Sequence, residues 1–296
     1  MNYVITGAAG HISHALTQHL LNAGHSVTVV GRQQKNLQSL TGKGAKAAIG
    51  SVEDVSFLKK IFTGADAVYT MSPPNFGAAD MKGFIAQTGK NYTEALKAAG
   101  VKNVVNLSSV GAHMPTGCGP VSGLYQTEQS LNSLPGVNIL HLRPSYFYQN
   151  LLANIGLIKQ AGIIGGNFSI PDGKFPIVDP SDIATVAADA LLKLDFTGTS
   201  HRYIAGDEVG TDKIAAVLGK AIGKPDLQWV KFSDEQALAG MLQAGLPQTI
   251  AENYVEMGQA MDSGKMFEEY RKQVVKLGKV KLEDFAKEFA SAYKAS

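Results

Sequence analysis

The sequence predicts an α/β fold: a doubly wound parallel sheet followed by a smaller, mostly helical C-terminal domain. Three observations predict it. From residue 2 to about 145, short runs of Val, Ile and Leu alternate with segments of helical periodicity. The first run leads directly into a Gly-rich turn that opens a helix. After residue 145 the alternation loosens and ends in a charged, helical tail over 248–294. Strand–helix alternation of this kind implies right-handed βαβ units and a parallel sheet.

The elements follow in order. Strands are expected at Tyr3–Thr6, Ser26–Val30, Ala47–Ile49, Ala67–Met71, Val104–Leu107 and Asn138–Leu142. Several are apolar on both faces, as strands covered by helices on both sides must be. The first helix carries Ile12, Ala15, Leu16, His19, Leu20 and Ala23 on one stripe and stops at Gly24. A second begins at Ser51 with Asp54 three residues on, resembling a capping box, and runs through Leu58, Ile61 and Phe62 to Gly64. Long helices are expected near 78–99 and 122–134. Beyond 145, Tyr146–Gln160 reads as helix, Asp182–Leu194 as helix after Pro180, and His201–Ala205 as strand. Residues 211–222 and 233–244 read as helices, with a strand at Leu227–Lys231. These readings divide the chain into residues 1–150, to which the elements near 176–205 return, and a smaller domain over 151–296 that closes a cleft above the strand ends.

Composition excludes several classes. A formal net charge of +2 over 296 residues, with no run of Lys and Arg, gives no electrostatic reason to bind nucleic acid or an anionic membrane. No apolar run is long enough to span a bilayer. The first strand starts almost at Met1, which leaves no room for a signal peptide, and the single cysteine, Cys118, allows no internal disulfide. A cytoplasmic protein is expected. Cys118 has no base beside it in Thr116-Gly117-Cys118-Gly119-Pro120 and reads as an inert loop thiol.

The strongest chemical signal is Thr6-Gly7-Ala8-Ala9-Gly10-His11-Ile12-Ser13. Gly7 permits the tight turn, Gly10 lets backbone approach a diphosphate, and the amides opening the helix hold the anion. The last small position is Ser13 where a strict fingerprint has Gly or Ala, a mild departure. Two glycines alone make only a turn; the strand before and the helix after are what make this one a Rossmann-type dinucleotide site. The second strand ends in Gly31-Arg32-Gln33-Gln34-Lys35. A carboxylate there accepts ribose hydroxyls in NAD-binding domains. Here Arg32 and Lys35 take its place, and a guanidinium suits a 2′-phosphate by charge and fork geometry. The alternative is a solvated surface Arg. The cofactor expected is NADP(H).

With these residues in hand, the chain resembles the NmrA-like family of atypical short-chain dehydrogenases/reductases, in its NADPH:quinone reductase-like branch. The resemblance is carried by the Thr6–Ser13 turn, Gly31-Arg32, Gly64-Ala65-Asp66-Ala67-Val68, Met71-Ser72-Pro73-Pro74, Asn106-Leu107-Ser108-Ser109, the segment from Leu142 to Asn150, and Val178-Asp179-Pro180-Ser181-Asp182-Ile183-Ala184. It implies that Met71, Ser72 and Pro73 wrap the adenosine and ribose side of the cofactor. It implies that Ser108 and Ser109 lie near the nicotinamide ribose, and that Pro144, Tyr146 and Phe147 flank the nicotinamide. It implies NADP(H) binding by Thr6, Gly7, Ala9, Gly10, His11 and Ile12. Some members resemble quinone reductases that act on a small-molecule electron acceptor. Others resemble redox-sensing regulators that bind the cofactor without turnover, and the family has room for a homodimer or a regulatory protein partner.

The catalytic machinery departs from the family pattern. Typical short-chain dehydrogenases pair a Tyr with a Lys four residues on, which lowers the Tyr pKa and binds ribose. Here Tyr125 is followed by Gln129, which carries no charge. In the quinone-reductase-like branch a His precedes a Thr-Glu pair; here Thr127-Glu128 is present, but Leu124 stands in the His position. Tyr125 remains as the catalytic candidate, with a helix tyrosine packed beside the cleft as the alternative. A quinone reductase needs less: its acceptor is electrophilic and the cofactor carries the chemistry. Tyr146, Phe147 and Tyr148 either line such a pocket or belong to the core. His11 and His14 lack the further ligands a zinc site wants, and Gly42–Gly50 lacks the spacing of a triphosphate loop. A sugar-nucleotide epimerase needs the missing Tyr–Lys pair.

Overall fold

The computed structural model describes residues 1–296. Strand β1 (Asn2–Ile5) leads through the glycine turn into helix α1 (His11–Asn22), followed by β2 (Ser26–Gly31), α2 (Gln38–Thr41), β3 (Lys46–Ile49), α3 (Val55–Phe62), β4 (Ala67–Met71), α4 (Met81–Ala99), β5 (Asn103–Leu107), α5 (Val121–Asn132) and β6 (Asn138–Pro144). The second half comprises β7 (Tyr146–Phe147), α6 (Ile155–Ala161), β8 (Ile164–Gly166), β9 (Phe175–Val178), α7 (Pro180–Lys193), β10 (Thr199–Ile204), β11 (Asp207–Val209), α8 (Thr211–Ala221), β12 (Trp229–Lys231), α9 (Asp234–Gln243), α10 (Gln248–Asp262) and α11 (Leu282–Ala295).

Seven strands form one sheet in the order β10-β6-β5-β4-β1-β2-β3, and every neighbouring pair in it is parallel. Helices α1 and α7 cover one face, where Ile5, Tyr69, Val105 and Leu142 meet Leu16, Leu20, Ala187 and Leu191. Helices α3, α4 and α5 cover the other, where Val4, Val68, Val104 and Ile139 meet Phe62, Tyr92, Leu96 and Leu131. Burial on both faces explains the unbroken apolar runs. A separate core, built around Phe168, Phe175, Phe267, Phe285 and Phe289, holds together the C-terminal helices, β9 and β11.

The chain crosses between these parts. α7 and β10 lie on the large sheet, while β9 pairs with β7 and β11 in a three-stranded sheet. Asp179 caps α7 through the Ser181 amide (2.8 Å) and accepts from Gln149 Nε2 (3.0 Å). Asp182 accepts the amides of Lys279 and Val280, both at 3.1 Å. The Asp-Pro-Ser-Asp segment therefore fastens the returning helix to the C-terminal strap.

Two expectations about local structure need correction. The cap of α3 is Asp54, whose carboxylate accepts the Phe57 amide at 3.0 Å, so the helix starts at Val55 and Ser51 only makes the preceding turn. Both residues are good caps, and the later one fits the first apolar turn. Tyr146–Gln160 is not one helix: Tyr146–Phe147 is a strand, Tyr148–Asn154 a 3-10 segment, and the α-helix begins at Ile155. Pairing with β9 pulls Tyr146 and Phe147 out of helical geometry.

A polar ladder crosses the sheet under α5. Thr70, Asn106 and His141 are register partners on β4, β5 and β6. Thr70 donates to Asn106 Oδ1 (2.9 Å), so the Asn106 amide nitrogen donates to His141 Nδ1 (3.1 Å). His141 Nε2 then carries the proton and donates to Asn132 Oδ1 at 2.8 Å. Burial pushes His141 down to about 4. Below its ordinary value of 6.5 the unfolded chain takes up a proton that the folded chain refuses, so stability is lost as pH falls from 6.5 towards 4. The loss attributable to this residue is about 3 kcal/mol at its limit. Urea midpoints at pH 7 and pH 4 are expected to separate less for His141→Gln than for wild type; equal separations would exclude the histidine as the source.

Candidate functional site

β1 is flanked by β2 on one side and β4 on the other, so the chain leaves it in opposite directions. This is the switch point where a crevice opens beyond the strand ends. Thr6 is wholly buried: its amide donates to the Tyr69 carbonyl (3.1 Å) and its hydroxyl accepts the Met71 amide (3.0 Å). It ties the turn to β4 and has no surface left for a ligand. Gly7 has φ +64, which favours glycine, and a Cβ there would lie 2.3 Å from Met71 Sδ. Met71 therefore lies across the floor of the turn.

Gly10 closes the turn, its amide donating to the Gly7 carbonyl at 2.9 Å. It serves as the N-cap of α1, with no side chain capping the helix and no acid in the first turn. The amides of Ala9, His11 and Ile12 find no acceptor in the protein. Ala9, Gly10 and His11 are exposed, whereas the Ile12 side chain faces the core. Free amides at the positive end of a helix dipole form a receptor for an anion.

Arg32 follows β2 directly, and Lys35 sits in the 3-10 segment Gln34–Leu37; both are exposed. Neither forms an ion pair. His14, one turn into α1, bonds Ser39 Oγ at 3.0 Å and so docks α2 beside these cations. Across the crevice, Met71, Ser72 and Pro73 are half-buried at the end of β4. The Tyr92 hydroxyl donates to the Met71 carbonyl (2.8 Å), and Ser72 Oγ is buried without a partner.

The far half of the crevice is built by β5 and β6. Ser108 is buried and Ser109 half-buried just after β5; Pro144 ends β6. Tyr146 is half-buried and packs its ring on Phe168 and Phe175, and burial pushes its phenol pKa up. Phe147 turns to the sheet core, and Tyr148 is fully buried and stacked on Phe285. Of the three aromatic residues, Tyr146 and Phe147 keep part of their surface exposed, and Tyr148 belongs wholly to the core. Tyr125 is half-buried on α5 with no side-chain hydrogen bond, Gln129 is exposed, and Leu124 packs against Met81, Ile85 and Ile250. Cys118 is fully buried and burial raises its thiol to about 12, so it is no nucleophile. A cavity of about 360 Å³ between Ser169, Lys174, Asp262 and Arg271 shares no residue with the crevice.

Sequence reasoning missed the most polar feature of this half. Glu128 is buried and meets Arg143 in a bidentate pair, accepting Nε at 3.0 Å and Nη2 at 2.6 Å. The same carboxylate accepts the Ser108 hydroxyl at 2.6 Å, and Arg143 Nη1 donates to the Tyr203 hydroxyl at 3.1 Å. Burial works against the Arg143 charge, but the hydrogen bonds and charge of Glu128 outweigh it and hold the guanidinium protonated. The available signal was a lone Arg in the apolar strand Asn-Ile-Leu-His-Leu-Arg-Pro, since a charge buried between strands needs a partner. No helix of the molecule is long and apolar enough to cross a membrane.

Known proteins resemble this chain in sequence or in shape. The NAD(P)H azoreductase of Xenophilus azovorans is 25% identical over 256 residues, 86% of this chain and 85% of that protein. The NADPH complex of the Escherichia coli NADPH-dependent quinone oxidoreductase QOR2 superposes with a TM-score of 0.82 at 22% identity, covering 97% of this chain and 99% of that one. The NADP(H) complex of Citrobacter sp. triphenylmethane reductase does so with a TM-score of 0.78 at 20% identity, covering 98% and 100%. The model of the NmrA-like family matches residues 2–290, and the chain belongs to that family.

Proposed function

We propose that this protein binds NADP(H) across the switch point and is an NADPH-dependent oxidoreductase for quinones, azo compounds or similar electrophilic small molecules. The observation that carries the reading is a cluster of unpartnered amides at the start of α1 with an unpaired Arg32 at the neighbouring strand end. The amides of Ala9, His11 and Ile12 hold the diphosphate. Arg32, with Lys35, meets the 2′-phosphate. Met71, Ser72 and Pro73 bound the adenosine side; Ser108, Ser109, Pro144, Tyr146 and Phe147 bound the nicotinamide side.

When bound, the cofactor supplies a hydride. The chain positions an acceptor against the ring and excludes water. Tyr125, with no Lys one turn on, is poorly placed to drive proton transfer to an ordinary ketone, which favours acceptors that need little acid help. The azoreductase and quinone reductase relatives support that choice. We assign residues 1–150 and the elements returning near 176–205 to cofactor binding, and the rest of 151–296 to the substrate wall. A cytoplasmic location suits this reading.

The test is a titration of the purified protein with NADPH and NADH, followed by absorbance at 340 nm with a panel of quinones and azo dyes. NADPH is expected to bind more tightly and to be consumed with at least one acceptor. Binding with no turnover on any acceptor would favour a cofactor-sensing regulator; equal affinity for both cofactors would remove the assignment to NADP(H).

A further inference from the structure

We propose that the cavity between Ser169, Lys174, Asp262 and Arg271 is a binding site for a small dianion, either a phosphate monoester or a dicarboxylate. The inference is independent of the NADP(H) reading. The cavity lies outside the crevice, has a volume of about 360 Å³ and is lined mostly by polar residues. That volume is at the small end of the range that ligand pockets occupy. Three segments build its wall: the chain that leads into β9, the end of α10, and the 3-10 segment Tyr270–Lys272. Two of its lining residues are cations, Lys174 and Arg271. Neither forms an ion pair.

The Arg271 guanidinium is held in place yet left largely unbonded. It lies over the Phe267 ring, 5.7 Å from its centre. Nη1 reaches the Gly264 carbonyl at 3.5 Å and Nη2 the Lys174 carbonyl at 3.4 Å. Contacts that long are weak, so most of the five donors of the group remain free for a ligand. Gly264 makes room for it: φ is +75 there, which favours glycine, and a Cβ would lie 2.8 Å from Nη1. The one acid in the wall, Asp262, is already engaged. Its Oδ1 accepts the Ser169 amide at 3.0 Å and its Oδ2 the Lys231 ammonium at 2.7 Å. The end of α10 is closed as well, with the Gln259 and Met261 carbonyls accepting the Ser263 and Gly264 amides, both at 3.0 Å. Two unpaired cations therefore border the space against one neutralised carboxylate, which suits a ligand with two negative charges. A guanidinium fork matches carboxylate and phosphate oxygens alike. The same guanidinium rests on a row of rings, since Phe267 packs on Phe175 at 5.9 Å and Phe175 on Tyr146 at 5.1 Å. Contacting rings thus join the site to the crevice.

The experiment titrates inorganic phosphate and malonate, separately, into the full chain by calorimetry at mildly alkaline pH, where both are dianions. Ionic strength is held constant with sodium chloride, because both cations are exposed and salt screens them. The proteins are wild type, Lys174→Met, Arg271→Met and Arg32→Asp, the last a control for anions taken up beside the glycine turn. Wild type is expected to bind at least one of the two probes saturably. Lys174→Met and Arg271→Met are each expected to weaken that binding about tenfold, the worth of a charge-assisted hydrogen bond, and Arg32→Asp to leave it within about twofold. Tighter phosphate identifies the ligand as a phosphate monoester, tighter malonate as a dicarboxylate. No saturable binding above the chloride background, or an affinity unchanged in either Met variant, would overturn the inference. A loss of similar size in Arg32→Asp would place the anion at the glycine turn and overturn it as well. If Arg271→Met does not fold, Lys174→Met decides alone, since its ammonium holds no ion pair that the fold would lose.

Discussion

Glu128→Ala is expected to destabilise the folded chain by about 3–5 kcal/mol, because it leaves the Arg143 guanidinium buried without a counter-charge. The Ser108 and Arg143 donors lose their carboxylate together. Arg143→Met is expected to cost a comparable amount for the mirror reason, an isolated buried carboxylate. The Glu128→Leu/Arg143→Met double variant removes both charges and is expected to be more stable than either single variant, since a buried pair gains little over a well-packed apolar one. Urea midpoints of wild type, Glu128→Leu, Arg143→Met and the double variant close the cycle and give the coupling directly. A single-variant cost below about 1 kcal/mol, typical of exposed pairs, would contradict the buried bidentate geometry.

The second large effect concerns the cofactor. Arg32→Asp is expected to lower NADPH affinity about a hundredfold and to raise that for NADH, reversing the preference. A charge-assisted hydrogen bond to the 2′-phosphate is worth about 1.5–3 kcal/mol. Replacing it with a like charge adds repulsion, and about 2.8 kcal/mol is a hundredfold. Arg32 is exposed, so raising the ionic strength is expected to narrow the difference. Calorimetric titration of both cofactors into both proteins measures it. Parallel losses for NADPH and NADH would mean that Arg32 supports the loop and does not read the extra phosphate.

Why did the sequence disclose the adenosine half better than the nicotinamide half? The diphosphate turn is built from consecutive residues, and its requirements are local: a positive φ at Gly7, no side chain at Gly10, free amides at His11 and Ile12. Arg32 follows from the end of one strand. Such features survive as patterns in a one-dimensional string. The Ser108–Glu128–Arg143 cluster joins the ends of β5 and β6 to the middle of α5, and only the register of β5 on β6 brings them together. Thr127-Glu128 was visible as a motif, yet nothing local tells a buried Glu from a solvated one. Thr6 shows the converse. Its motif membership suggests ligand contact, but both ends of its side chain are spent on β4. The misread Tyr146–Gln160 segment has the same cause, since its first two residues are claimed by a strand far along the chain.

The return of β10 to the large sheet has a consequence for how the chain is made. The outer edge of β6 is covered by a strand that begins only at Thr199. Until that strand emerges from the ribosome, a nascent chain carries β6 as an open template of unpaired backbone groups. Pairing so distant in sequence is slow to form, and the half-built sheet is the species prone to stick to its neighbours. For this protein the vulnerable interval in synthesis therefore lies after the cofactor turn is complete and before Ile204 has arrived.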